Sequence, residues 1–143
     1  MSVSGDRTKK VVLDFLEIRA RLERLELPEV DGVVGVATGG SVPASLVAYK
    51  LGLPLAMMRL NYRAEDNTPQ RPEPLLLSTF QPPDVKRVLL VDDVSVTGRT
   101  LEAAKALLPH HHVTTLVMKG RGDYVLFPEV ASCVVWPWKE LNS

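Results

Sequence analysis

The sequence predicts an α/β fold with a central, mainly parallel sheet flanked by helices on both faces. Three observations carry that expectation. Short apolar runs of strand length, Val33–Ala37, Leu55–Leu60, Val88–Val91 and Val113–Met118, alternate with stretches whose apolar residues recur every three or four positions. Two of the runs lead into loops rich in glycine and hydroxyls, Thr38-Gly39-Gly40-Ser41 and Ser95-Val96-Thr97-Gly98, before the next helical stretch. In a parallel sheet such loops fall at the carboxyl ends of strands, where ligands bind in open α/β folds. No GxGxxG and no GxxxxGK(S/T) occurs, which disfavours a dinucleotide-binding or P-loop fold.

Composition narrows the function classes. With 143 residues the chain reads as one domain with a real core, and 45% hydrophobic against 24% charged residues is ordinary for a globular protein. Seventeen basic and seventeen acidic residues cancel, so no charge argument points to nucleic acid or membrane as a partner. The single cysteine, Cys133, excludes an internal disulfide and fits a reducing compartment. The N-terminus is charged and has no apolar leader, and no apolar run reaches 18 residues. A cytoplasmic, soluble protein is expected.

Taken in order, Asp6 to Leu25 has the spacing of an amphipathic helix, with Val11, Phe15, Ile18, Leu22 and Leu25 on one face and Pro28 ending it. After Val33–Ala37, Ser41 is a plausible N-cap for a helix marked by Leu46, Val47 and Leu51. Leu55–Leu60 is a strand. Asn61 to Pro74 has no periodicity and three prolines, a length of irregular chain that is usually functional or disordered. Leu75–Phe80 and Lys86–Val91 read as strands of a hairpin joined by Gln81-Pro82-Pro83-Asp84. Leu101, Ala104 and Leu108 mark the next helix. His110-His111-His112 reads as a polar turn, since three adjacent histidines cannot all face one metal. Arg121-Gly122-Asp123 is a plain loop tripeptide. The tail from Gly120 to Ser143 is too apolar to be loose and too short to fold alone, so it is expected to cap the core (about residues 6–119) as a small hood.

The stretch from Val88 to Thr100 organises the chain. A buried-strand run meets two carboxylates, Asp92 and Asp93; a short loop with Ser95, Thr97 and Gly98 leads into the helix. Strand, polar loop and helix bring free backbone N–H groups and a helix dipole to one point, which suits a phosphate. An acid pair beside a phosphate is repulsive unless hydroxyls or a cation lie between them. Vicinal ribose hydroxyls with a divalent cation nearby meet that need, so the stretch reads as a site for a ribose carrying a 5′-phosphate.

On these residues the stretch resembles the phosphoribosyl pyrophosphate (PRPP) motif of the type I phosphoribosyltransferases. The layout is closest to the small xanthine/guanine/hypoxanthine enzymes. The resemblance implies Mg²⁺-dependent transfer of a phosphoribosyl group from PRPP to a nucleobase, a purine by layout, with release of pyrophosphate, in a homo-oligomer such as a dimer. It implies that Asp92 and Asp93 are catalytic, with Asp93 associated with Mg²⁺ through ribose and pyrophosphate. Ser95, Val96, Thr97, Gly98, Arg99 and Thr100 would bind the 5′-phosphate, and Thr38, Gly39 and Gly40, within a segment resembling the pyrophosphate loop, the pyrophosphate. The irregular segment matches a mobile lid, with Tyr62 and Arg63 near its start. Lys119, Val134 and Trp136 resemble the base-binding hood.

The chain departs from the family pattern at four points. Thr38 stands where Arg or Lys is frequent, Cys133 at the position of the stacking aromatic, and Lys139 where those enzymes often carry a metal-associated aspartate. Val96 replaces the aspartate that lies near the purine N7 and is taken as general base, and a valine cannot accept a proton. A rival reading comes from Asp93 to Thr100, which also resembles the pyrimidine-operon attenuator, a PRPP-binding regulator that binds RNA; the zero net charge argues against it.

Overall fold

The computed structural model describes residues 10–61, 75–76 and 80–140. The elements run β1 (Val11–Val12), α1 (Phe15–Arg24), β2 (Gly32–Ala37), α2 (Ser41–Leu51), β3 (Leu55–Asn61), β4 (Leu75–Leu76), β5 (Arg87–Ser95), α3 (Arg99–Ala106), β6 (His112–Gly120), β7 (Tyr124–Val125), β8 (Val134–Val135) and α4 (Pro137–Glu140). The main sheet has the order β4-β3-β2-β5-β6-β7, in which β3, β2, β5, β6 and β7 are parallel and β4 is antiparallel to β3. The expected α/β fold is the one observed.

Two apolar layers flank this sheet. Leu89 and Val91 pack on one side against Ile18 and Leu22 of α1, Val47 of α2, and Phe127, Trp136 and Trp138. Val88 and Leu90 pack on the other side against Leu101 and Ala104 of α3. A strand buried on both faces has no polar alternation, which is why Val88–Val91 reads as a continuous apolar run. Its start is held by the Arg87 guanidinium, which forks onto Asp31 (Nη2 to Oδ1, 3.0 Å) and reaches Glu29 (2.9 Å). The Asp31 carboxyl is held below the usual carboxylate range by that hydrogen bond.

Four expectations from the sequence need correction. The hairpin of Leu75–Phe80 with Lys86–Val91 does not form: β4 pairs with β3, and β5 is inserted between β2 and β6. Strand-forming runs adjacent in sequence suggested a local partner, but an apolar strand with two faces to bury belongs in the middle of a sheet. The first helix starts later than its apolar spacing suggested, at Phe15. The Asp14 side chain caps it by accepting the Glu17 N–H at 2.9 Å, and Val11 and Val12 instead pair with Val134 and Val135. Ser41 is the first residue of α2 and Gly40 its N-cap. The acid pair lies inside β5, which runs on to Ser95, and not at the strand's end. The expected lid residues Tyr62 and Arg63 lie outside the described residues.

The turn at Gly120 shows how tightly β5 and β6 are joined at the site. Gly120 has φ +108°, and a Cβ there would stand 2.0 Å from the Ser95 carbonyl oxygen. Gly52, the C-cap of α2, also has positive φ (+66°), but a Cβ there meets open space. Gly52→Ala is therefore expected to cost about 1 kcal/mol, the conformational term alone. Gly120→Ala adds a backbone clash and is expected to cost about 2–4 kcal/mol. Urea unfolding of the two variants checks this, and equal losses would contradict the packing described.

Candidate functional site

The carboxyl ends of β2 and β5 are neighbours, so the two glycine loops meet. Gly39 backs directly onto the acid pair: a Cβ there would lie 2.5 Å from Asp93 Oδ2. At Gly40 a Cβ would stand 2.6 Å from both the Val36 and Val91 carbonyl oxygens. Only glycine lets this loop lie so close to β5. The Gly40 N–H donates to Val36 O (2.7 Å) and the Ser41 N–H to Thr38 O (3.1 Å), so neither amide is left for an anion. Thr38 is exposed, and the Ala37–Thr38 peptide bond is cis.

From Ser95 the chain passes through Val96 and Thr97 to Gly98, whose φ of +86° turns it into α3. The Arg99 N–H donates to Thr97 Oγ1 (3.3 Å). The helical ladder begins with the Glu102 N–H, which donates to Gly98 O (2.9 Å), so the Thr100 and Leu101 amides precede the first helical bond. This is the anion-binding geometry of a helix N-terminus, reached directly from the strand that bears the acids.

The loop opens on a cleft of about 490 Å³ lined by Asp93, Val94, Ser95, Val96, Thr97, Gly98, Thr100, Lys119, Cys133, Val134, Trp136 and Lys139. The structure thus gathers the β5–α3 loop, Lys119 and the hood into one site; Thr38, Gly39 and Gly40 do not line it, and of these Gly39 lies against Asp93. Lys119 is half-buried on β6, in register with Val94. Val134 is half-buried on β8, and Cys133 and Val96 are exposed at the cleft. Trp136 forms part of the wall, but its side chain is 1% exposed, stacked on Trp138 at 5.2 Å and tilted against Phe127. Both tryptophans are buried within the single chain, as core packing.

The electrostatics of the acid pair are asymmetric. Asp93 accepts the Val94 N–H at 2.7 Å, and Lys139 Nζ stands 3.7 Å from its Oδ2. Asp92 accepts the Asp93 N–H at 2.8 Å and is buried. Burial, and then the charge of Asp93, push the Asp92 carboxyl well above the usual carboxylate range; Lys139 pulls it back. Among the described residues no cluster of three or more His, Cys, Asp or Glu could cage a metal. The carboxylate at the cleft, Asp93, fits a cation that takes most of its ligands from water and substrate oxygens, the habit of Mg²⁺.

A family model, "Phosphoribosyl transferase domain", matches residues 22–136. This chain belongs to the phosphoribosyltransferase family. A xanthine-guanine phosphoribosyltransferase of Desulfotalea psychrophila is 30% identical over 96% of this chain and 90% of its own length. The transcriptional regulator GfcR of Methanoculleus marisnigri is 35% identical over 62% of this chain, which spans only 42% of that protein. The purine phosphoribosyltransferase of Pyrococcus horikoshii Ot3 has a similar structure (TM-score 0.71, 28% identity), covering 90% of this chain and 93% of that one. The fold is that of the type I phosphoribosyltransferases.

Several residues of this chain support the scaffold without having been singled out from the sequence. Asp14 was signalled by a capping box, Asp14 with Glu17 three residues on. Asp123 shapes the β6–β7 loop by accepting the Thr115 N–H (2.9 Å), while its own N–H donates to Thr115 Oγ1 (2.8 Å). His111 Nε2 lies 2.9 Å from Pro83 O, within the turn expected for the three histidines.

The raised Asp92 carboxyl has a consequence for stability. The folded chain holds a proton there that the unfolded chain releases. The stability this gives is complete below the unfolded value of about 4 and is lost as pH rises through the raised folded value. Asp92→Asn, neutral throughout, is expected to melt above the wild type near neutral pH, with the gap closing as pH falls to about 4. Thermal melts across that range check this; a gap independent of pH would contradict it.

Proposed function

We propose that this chain is a PRPP-dependent transferase that joins a nucleobase, a purine, to the phosphoribosyl group and releases pyrophosphate. The observation that supports this best is one cleft holding both the N-terminus of α3 and the end of β5 from Asp93, with Lys119 and the hood on its walls. In the reaction the bond between ribose C1 and the pyrophosphate oxygen breaks, its electron pair leaving with pyrophosphate. A ring nitrogen of the base forms the new bond to C1 and loses its proton.

Each residue has a role in this reading. The loop Ser95, Val96, Thr97, Gly98, Arg99 and Thr100 seats the 5′-phosphate through backbone N–H groups and hydroxyls. Asp92 and Asp93 accept hydrogen bonds from ribose hydroxyls, and the Asp93 carboxylate favours positive charge near C1. The exposed Thr38 and the Gly39 backbone face the pyrophosphate. Asp93 would be the carboxylate that holds Mg²⁺, which would supply neutralisation of the leaving pyrophosphate's charge. Lys119 offers its ammonium to a carbonyl oxygen on the base, and Val134 and Trp136 supply an apolar wall. The acids, loop and wall lie on rigid elements, so the ligand is held in position before reaction.

A second reading, a PRPP-binding regulator, is favoured by the similarity to a transcriptional regulator over 62% of this chain. The two separate by a nucleic-acid mobility assay read across salt, because phosphate contacts weaken as salt rises. Salt-sensitive binding without turnover of any base supports the regulator.

The enzyme reading is tested by PRPP-dependent turnover of purines, uracil and orotate. Val96 is 68% exposed at the cleft and offers no proton acceptor. Guanine and hypoxanthine are therefore expected to react slowly, and Val96→Asp to raise kcat/KM for them by about 10²–10⁴-fold, the effect of a positioned general base. Efficient wild-type use of guanine, unimproved by the substitution, would contradict this assignment.

A further inference from the structure

Lys139 is held over the acid pair by a built support. Trp136 and Trp138, on either side of Pro137, are 1% and 5% exposed and stack at 5.2 Å with rings 6° apart. The Lys139 N–H donates to Trp136 O at 3.0 Å. The strand before the motif is tied to the N-terminal segment, with Val135 in register with Val12 and its carbonyl accepting the Leu13 N–H. Two buried rings and a two-strand ladder thus fix the backbone from which the lysine reaches Asp93.

The fold gains little from the pair itself. The Lys139 side chain is 61% exposed, and exposed ion pairs are weak and screened by salt. A separation of 3.7 Å is ion pairing rather than a hydrogen bond, so the three ammonium donors remain available to a ligand. Lys119 adds a second ammonium to the same cleft. Two ammonium groups against the single carboxylate of Asp93 in the cleft lining suit a polyanion.

We propose that Lys139 is a resident cation of the ribose–pyrophosphate site, linking Asp93 to ligand phosphate oxygens and lessening the dependence of PRPP binding on a divalent ion. The inference rests on the PRPP reading and extends it. It gives the Trp-Pro-Trp segment a purpose other than base stacking: the rings aim the lysine.

Calorimetric titration of PRPP, in saturating Mg²⁺ and in EDTA, tests it with wild type, Lys139→Ala and Lys139→Gln. Lys139→Gln keeps most of the apolar stem, so lost packing is separated from lost charge. Wild type is expected to bind in both conditions. Both variants are expected to lose about 10–100-fold in EDTA, the worth of a charge-assisted hydrogen bond, and clearly less in Mg²⁺. Lys139→Arg should retain metal-free binding. Wild-type binding that vanishes in EDTA, or variants that match wild type there, would overturn the proposal while leaving the PRPP reading intact. Wild type that fails to bind PRPP even with Mg²⁺ would remove the PRPP reading itself, and with it the proposal.

Discussion

The site depends on the parallel pairing of β5 with β2, from Gly32 with Val88 to Gly35 with Val91. That register brings the loop after β2 against the acids of β5, so closely that Gly39 and Gly40 have no room for a side chain. One strand further, Val94 lies beside Lys119 and Ser95 beside Gly120. The acids, the phosphate-type loop and a lysine are thus set by three neighbouring strands buried on both faces. The precision comes from the core: Leu89, Leu90, Val91 and Leu116 are fully buried, and shifting them by one residue would move every polar group that follows.

What was legible in the sequence was what depends on local chemistry. Asp92, Asp93, Thr97, Gly98 and Thr100 are close in sequence, and a strand–loop–helix unit constrains them whatever the remaining fold does. The parallel sheet followed from apolar runs alternating with helical spacing. The larger failures concern partners chosen over long distances. The pairing of β5 with β2 and β6 leaves no mark on Gln81-Pro82-Pro83-Asp84, which has the composition of a hairpin turn. The ladder between Val11–Val12 and Val134–Val135 is two residues long, below anything periodicity can detect. In the loop after β2, the Gly40 and Ser41 amides donate within the loop itself, which a glycine turn before a helix does not reveal in sequence.

The hood shows how composition and role diverge. Two tryptophans beside a candidate base site suggest a stacking surface, but here they stack on each other inside the core. Beside Asp93 and the β5–α3 loop, the cleft is lined by Val96, Cys133 and Val134, with Lys119 and Lys139. That part of the lining offers no exposed aromatic face and carries two ammonium groups.

The central claim is that the loop between β5 and α3 seats a 5′-phosphate while the acids meet the ribose. Backbone amide resonances followed by NMR during titration with ribose 5-phosphate, and separately with inorganic phosphate, test it most directly. The account predicts the largest shifts at Thr97, Gly98, Arg99 and Thr100 with either ligand, and shifts at Asp93 and Val94 with the sugar phosphate alone. Saturable binding whose largest shifts lie outside residues 92–100 would contradict it.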